Sequence, residues 1–319
     1  MGMFRGNVKP GNRETGIGEF MEIILAHNLG FCPGVQRSFE LARAALSGNR
    51  KVFLLGELVH NREAIGMLEK KGARRIEHPD QAHPGSIVVS RSHGIEKQHL
   101  QALFERGVSV VDTTCPRVKK VHNLAGELEK KGFFLVILGN PTHAEVTALI
   151  SHLVSLPLVV GDDSSRWEKE IEKIPEYTKV AVLEQTTFPR QVFLKFQDFL
   201  KGHGIQYEIH DTLCPETGLR QEELDRFLLS GAIQSVVVVG GKHSSNTKAL
   251  YLMSQNKEIK THWVEASSEI HPKWFAPHER VLVVSGASTP DFQVNEVKKT
   301  LESFDRQNIH QPQKDQTYE

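Results

Sequence analysis

Cys32, Cys115 and Cys214 are the three cysteines of this 319-residue sequence, and a proline follows each one directly. Each Cys-Pro pair stands between a short β-rich run and an amphipathic helical pattern, in "EIILAHNLGFCPGVQRSFELARAAL", "VSVVDTTCPRVKKVHNLAGELEK" and "YEIHDTLCPETGLRQEELDRFL". Pro33, Pro116 and Pro215 suit the first turn of a helix, where the missing N–H has no partner to lose. A helix N-terminus favours the thiolate, the form that binds metal, so these joints are expected to present three thiolates. There is no C-x-x-C, which argues against thioredoxin-like redox chemistry, and no histidine stands at a local zinc-ligand spacing to any cysteine. Three thiolates can hold a cubane of four irons and leave one iron without a protein ligand. An electron-transfer ferredoxin uses four. A cluster with one open iron can act on a substrate oxygen and deliver electrons to it.

A second set of residues has the chemistry of an anion site. His60, His93, His143, Thr186, Ser244, Ser245, Asn246 and Ser288 follow apolar runs, in "KVFLLGELVHN", "SIVVSRSHG", "FFLVILGNPTHAEV", "KVAVLEQTTF", "SVVVVGGKHSSNTKAL" and "RVLVVSGASTPDFQVNEV". Imidazoles, hydroxyls, an amide and helix N-terminal N–H groups bind phosphate. Glu145 is the one carboxylate placed to move protons within this set. Neither a P-loop nor a G-x-G-x-x-G fingerprint is present, so neither a nucleoside triphosphate nor NAD is implied. Taken singly, each cluster also reads as a turn or a helix cap; "SSN" before "TKAL" is a good N-cap signal.

The elements that must position these residues are strands alternating with helices, which predicts mostly parallel sheets with ligands beyond the carboxyl ends of the strands. The cysteines lie 83 and 99 residues apart, about one small α/β unit each. The fold class expected is α/β, with three pseudo-repeated units. Their ranges are 22–112 (Cys32, His60, His93), 113–211 (Cys115, His143, Glu145, Thr186) and 212–303 (Cys214, Ser244 to Asn246, Ser288), with a flexible leader over 1–21 and a flexible tail over 304–319. Met21 is a candidate translation start.

Lys+Arg and Asp+Glu are equal at 39 each, which gives no footprint for nucleic acid or an anionic membrane. No apolar run reaches the ~18–20 residues that span a bilayer. Three cysteines without a secretion signal argue against a disulfide framework. A cytoplasmic protein that does not insert into membranes is expected.

Read in order, "GFCPGVQR", "ELVHN", "SRSHG", "DTTCPRVKKVH", "THAEV", "EQTT", "CPETGLRQ", "GGKHSSNT" and "SGASTPD" resemble the LytB/IspH family, the 4-hydroxy-3-methylbut-2-enyl diphosphate reductases, over roughly Glu22 to Leu301. The resemblance implies a trefoil of three α/β units around one 4Fe–4S cluster held by Cys32, Cys115 and Cys214, its fourth iron open to substrate. It implies reductive loss of the substrate 4-hydroxyl, giving isopentenyl and dimethylallyl diphosphate. His60, His93, Ser244, Ser245, Asn246 and Ser288 would hold the diphosphate. Glu145 would relay protons with His143 and Thr186 beside it, His143 and Thr186 would also contact substrate, and Thr187 is the alternative to Thr186. Reduced ferredoxin or flavodoxin would be the electron donor. Lys119 and Lys120 are candidates for its docking patch, or else a solvated helix face. The chain departs from the common family pattern at Asn28-Leu29, Ala144 and Phe292. An open-iron hydro-lyase and a non-enzymatic metal or ligand sensor are the alternative functions.

Overall fold

The computed structural model describes residues 21–176 and 178–308. In chain order the regular elements are β1 (Glu22–Leu25), α1 (Pro33–Ala45), β2 (Val52–Leu55), α2 (Arg62–Glu69), β3 (Arg74–Ile76), β4 (Ile87–Val89), α3 (Lys97–Glu105) and β5 (Ser109–Val111). They continue with α4 (Pro116–Lys130), β6 (Phe134–Leu138), α5 (Ala144–Ser151), β7 (Leu158–Val160), α6 (Trp167–Ile171), β8 (Val180–Glu184), α7 (Arg190–Gly202) and β9 (Tyr207–Ile209). The last are α8 (Pro215–Leu229), β10 (Ser235–Val239), α9 (Ser245–Gln255), β11 (Lys260–Val264), β12 (Arg280–Ser285) and α10 (Asp291–Asn308).

The strands form three four-stranded sheets, ordered β3-β2-β4-β5, β7-β6-β8-β9 and β11-β10-β12-β1, and every strand pair is parallel. The three orders are one topology repeated. In each, the two central strands are the Val/Leu/Ile runs of the sequence, buried on both faces, as parallel strands covered by helices must be. The outward alternation follows: Val52 and Leu54 pack with α1 and α2, while Phe53 and Leu55 pack with α3. Val136 and Leu138 pack with α7, and Leu135 and Ile137 with α4 and α5. Val237 and Val239 pack with α10, and Val236 and Val238 with α8 and α9.

The strand before each Cys-Pro pair is not central. β1, β5 and β9 are sheet edges and only partly buried. From each edge the Cys-Pro helix crosses to a central strand of the next sheet: α1 to β2, α4 to β6, and α8 to β10. The linear division at 112 and 211 therefore needs one correction. β1 pairs with β12, Glu22 opposite Arg280, so the N-terminal strand belongs to the third sheet. Two boundaries also move. Met21 is buried in the third core rather than ending a leader, and α10 continues to Asn308, with Phe304 against the same core, so helix occupies the start of the expected tail. The rest of the leader and tail lie outside the described residues. Among the described residues, no helix is long and apolar enough to cross a membrane.

Candidate functional site

The Cys-Pro joints fold as the residue types require. Cys32, Cys115 and Cys214 are the N-caps of α1, α4 and α8, each with proline in the first turn. The Cys32 Sγ accepts the Val35 N–H at 3.4 Å. Beyond each strand end, the cysteine's own N–H continues the parallel ladder onto the neighbouring loop. Cys32 donates to Ala287 (3.0 Å), Cys115 to Ser92 (2.9 Å) and Cys214 to Thr186 (2.9 Å). Each acceptor lies in a loop that carries a polar candidate: Ser288, His93 and Thr186 itself.

Contacts between units bring the three joints together. A Cβ on Gly34 would sit 2.6 Å from the Cys115 Sγ and 3.9 Å from the Cys32 Sγ, so two thiols crowd a residue that has no side chain. The Arg220 guanidinium on α8 donates to the Gly30 carbonyl at 3.0 Å, and the Ser38 hydroxyl on α1 to the Thr113 carbonyl at 2.7 Å. Asn28, a departure from the common pattern, donates through its backbone N–H (3.0 Å) and its Nδ2 (2.7 Å) to Glu223 on α8.

All three cysteines are free thiols. Burial pushes the Cys32 and Cys214 thiols up, against the N–H groups that lower them, and neighbouring thiols add to the rise. At Cys32 and Cys214 desolvation outweighs the helix N-terminus. A bound cation reverses that balance and deprotonates a coordinating thiol outright. Three gathered, unbridged, sulfur-only donors fit an iron–sulfur cluster.

His60, His93 and His143 form one cluster. The His60 and His93 rings stack at 4.3 Å between centroids, and His143 meets them edge-on at 5.2 and 5.3 Å. Glu57, which the sequence reading missed, accepts from His60 Nδ1 at 3.0 Å and leaves the buried Nε2 without a partner. The signal was present as a carboxylate three residues before the histidine. His93 Nδ1 is likewise buried and unpartnered. Burial and neighbouring charge hold His93 well below the usual range, and burial takes His143 down to about 4, so both are neutral near pH 7.

The three imidazoles lie close enough to hold a metal ion, with ligand atoms within 4.8 Å of one another. His143 argues for an anion instead. Its Nδ1 accepts the Glu145 N–H at 3.2 Å, so in the neutral ring Nε2 carries the hydrogen and can only donate.

Glu145 is buried, with 3% exposure, and its two oxygens accept from the Thr186 N–H and the Thr186 hydroxyl, both at 2.7 Å. Burial raises its carboxyl to about 7 despite both bonds. A group that is half protonated near neutral pH suits proton transfer.

Ser244 caps α9, accepting from the Thr247 N–H at 3.3 Å. Asn246 is buried, and among the described residues neither of its amide atoms has a partner. This loop abuts His60: a Cβ on Gly241 would lie 2.3 Å from the His60 carbonyl oxygen. The Ser288 hydroxyl donates to that same oxygen at 3.3 Å. Ser245 and Thr187 line an adjoining cavity of about 400 Å³ together with Asn140 and Lys248. Ala144 opens α5 directly after the capping His143.

The family model for LytB protein matches residues 23–302. The chain belongs to the LytB family. It is similar to the 4-hydroxy-3-methylbut-2-enyl diphosphate reductase of Geobacter sp. (strain M21), 33% identical over 292 residues, covering 91% of this chain and all of the relative. It is also similar to the reductase of Dictyoglomus thermophilum, 36% identical over 290 residues, covering 91% of this chain and 99% of that one. The solved reductase structure from Plasmodium falciparum superposes with a TM-score of 0.81 over 88% of this chain and 87% of that chain; at 24% identity it supports the LytB fold alone. A second solved reductase, described as the terminal enzyme of the non-mevalonate pathway, is 30% identical with a TM-score of 0.62, covering 89% of this chain and 99% of its own.

Proposed function

We infer that this LytB protein is a 4-hydroxy-3-methylbut-2-enyl diphosphate reductase, acting in the cytoplasm. The observation that carries the mechanism is one hydrogen-bonded chain. Glu145 holds the Thr186 hydroxyl and N–H, and the Thr186 carbonyl holds the Cys214 N–H. A proton-handling carboxyl is thereby tied, through Thr186, to the backbone of one cysteine of the gathered set.

Cys32, Cys115 and Cys214 would hold a 4Fe–4S cluster. When bound, it supplies Lewis acidity through its open iron and passes electrons one at a time. The buried polar atoms of His60, His93 and Asn246 need partners, and the diphosphate oxygens supply them for the donors among these. Ser244 and Ser245 extend that donor set, Ser288 joins it by turning its hydroxyl away from the His60 carbonyl, and His143 donates through Nε2. Protonated Glu145 delivers a proton through the Thr186 hydroxyl to the substrate 4-hydroxyl, which leaves as water when its C–O bond breaks. A second proton adds to either end of the three-carbon allylic fragment. Two electrons and two protons enter, one water leaves, and the two ends give isopentenyl and dimethylallyl diphosphate. Burial of Glu145, Thr186 and His143 keeps bulk water from the fragment until the second proton arrives. Two equivalents of reduced ferredoxin or flavodoxin, each oxidised by one electron, close the balance.

The test is iron and acid-labile sulfide content after anaerobic purification, followed by turnover with reduced methyl viologen. Near-equal iron and sulfide, approaching about four of each, with both products formed, supports the reading. Zinc without sulfide rejects it, and turnover without a reductant makes the protein a hydro-lyase.

A further inference from the structure

The first turns of α1, α4 and α8 start from joints that touch one another, through Gly34 and Cys115, Arg37 and Thr114, and Arg220 and Gly30, and each turn carries exposed groups. Pro33, Pro116 and Pro215 are all exposed, and each is bonded directly to one of the three cysteines. Leu219, one turn along α8, is 47% exposed. Around these apolar groups stand the exposed cations Arg37, Arg117, Lys119 and Lys120. Lys119 is neutralised by Asp112 at 2.5 Å, and Glu216 pairs with Arg220. Arg37 donates to the Thr114 carbonyl at 3.4 Å and, among the described residues, forms no ion pair. Among the described residues, Arg117 and Lys120 carry no ion pair. Glu40, a turn further along α1, accepts from Gln36. The chain as a whole has zero formal charge, so the excess here is local. Three helix N-termini add positive potential to it.

We propose that this proline-centred, cation-rimmed face is where the electron carrier docks, and that the carrier is a small acidic one-electron protein. The proposal rests on the reductase reading and names its partner's footprint. An apolar centre with a charged rim has the anatomy of a transient interface, and redox encounters occupy its small end. Tunnelling falls off exponentially with distance, and here one peptide bond links each surface proline to a thiol residue. Unpaired rim cations steer an acidic partner and raise its association rate without contributing much to the dwell time.

The test uses the holoenzyme with two reductants. Reduced methyl viologen needs no protein interface; an acidic 2Fe–2S ferredoxin does. For the double reversal Arg117→Glu and Lys120→Glu, the KM for ferredoxin should rise about tenfold or more, with viologen-driven turnover and iron content unchanged. Wild-type turnover should fall with salt when ferredoxin is the donor and not when viologen is. Reversal of Lys70 and Lys71, exposed at the far end of α2, is the control. Equal ferredoxin kinetics in wild type and the Arg117/Lys120 variant, or the same loss in the control, would overturn the proposal. Absence of viologen turnover in the wild type would instead reject the reductase reading; calorimetric ferredoxin binding, weakened only in the Arg117/Lys120 variant, still decides the face. A variant that loses iron is replaced by the wild-type salt series, where a salt-independent ferredoxin rate overturns the proposal.

Discussion

The Cys214 N–H donates to the Thr186 carbonyl at 2.9 Å, and the Thr186 hydroxyl donates to Glu145 at 2.7 Å. One threonine thus touches the sulfur-bearing loop with its backbone and the proton-handling carboxyl with its side chain. Movement at either partner is felt by the other.

Replacing Glu145 by glutamine keeps the shape and removes the proton. Turnover should fall by about 10²–10⁴-fold, the range for loss of a general acid, while iron content and thermal stability stay near wild type. With the carboxyl raised to about 7, the wild-type rate should decline as pH rises through that value. A viologen-driven pH profile of both proteins measures this, and an unchanged rate in the variant removes Glu145 from the mechanism.

Glu57→Gln tests the orientation of His60. The carboxylate accepts from His60 Nδ1, so the buried Nε2 can donate to an anion only from a ring that carries both protons, and Glu57 stabilises that ring through a charge-assisted bond. A charge-assisted hydrogen bond contributes ~1.5–3 kcal/mol, so the substrate KM should rise about tenfold to a hundredfold. The maximal rate should change far less. A fall in the rate at constant KM would place Glu57 in the chemical step.

Gly34→Ala places a methyl group 2.6 Å from the Cys115 sulfur and points it between two thiols. A packed site can clear that overlap only by moving a sulfur. Iron and sulfide loading should drop to about half or less, with the helix itself retained or strengthened, because alanine is the better helix former. Circular dichroism and metal analysis on the same sample separate the two effects.

Glu184 is fully buried beside Asp211 and accepts the Leu213 N–H at 3.2 Å. Burial, with Asp211 adding, raises its carboxyl to about 8 from an ordinary 4.5. Between those values the folded chain holds a proton that the unfolded chain has lost, so this residue's contribution to stability declines as pH rises across the window. Glu184→Gln removes the penalty. The variant should match wild type near pH 4.5 and be more stable at pH 8, by on the order of 1–3 kcal/mol after allowance for relaxation. Thermal melts at both values decide it; a constant difference between them would show that Glu184 does not titrate in this window.

Much of this was legible in the sequence because it is local chemistry. A proline after cysteine fixes the first helical turn, and the long Val/Leu/Ile runs of β2, β4, β6, β8, β10 and β12 have no place but the middle of a covered parallel sheet. The edge strands β3, β7 and β11 were not read. "ARRIEH" and "KTHWVEA" are short and carry charge or polarity where they meet solvent, so they lack a clear period. The pairing of β1 with β12 was not legible either, since nothing local distinguishes an edge strand that closes its own unit from one that closes the last. Glu57 and Asp211 escaped notice for the same reason: their importance lies in what faces them across space. The rise of the Cys32 and Cys214 thiols was not legible because a helix end is visible in sequence and the depth of burial is not.

The placement of β1 beside β12 also bears on how the protein is made. The strand that leads to Cys32 leaves the ribosome 258 residues ahead of its neighbour, Glu22 pairing with Arg280. Throughout that interval the first thiol waits on an unfinished sheet. The second and third thiols come with strands whose partners are already synthesised. Contacts this remote in sequence form slowly. The three sulfurs can meet only after β12 has been made and β1 has returned to it, so the strand pairing most remote in sequence among the described residues is the one that completes the site.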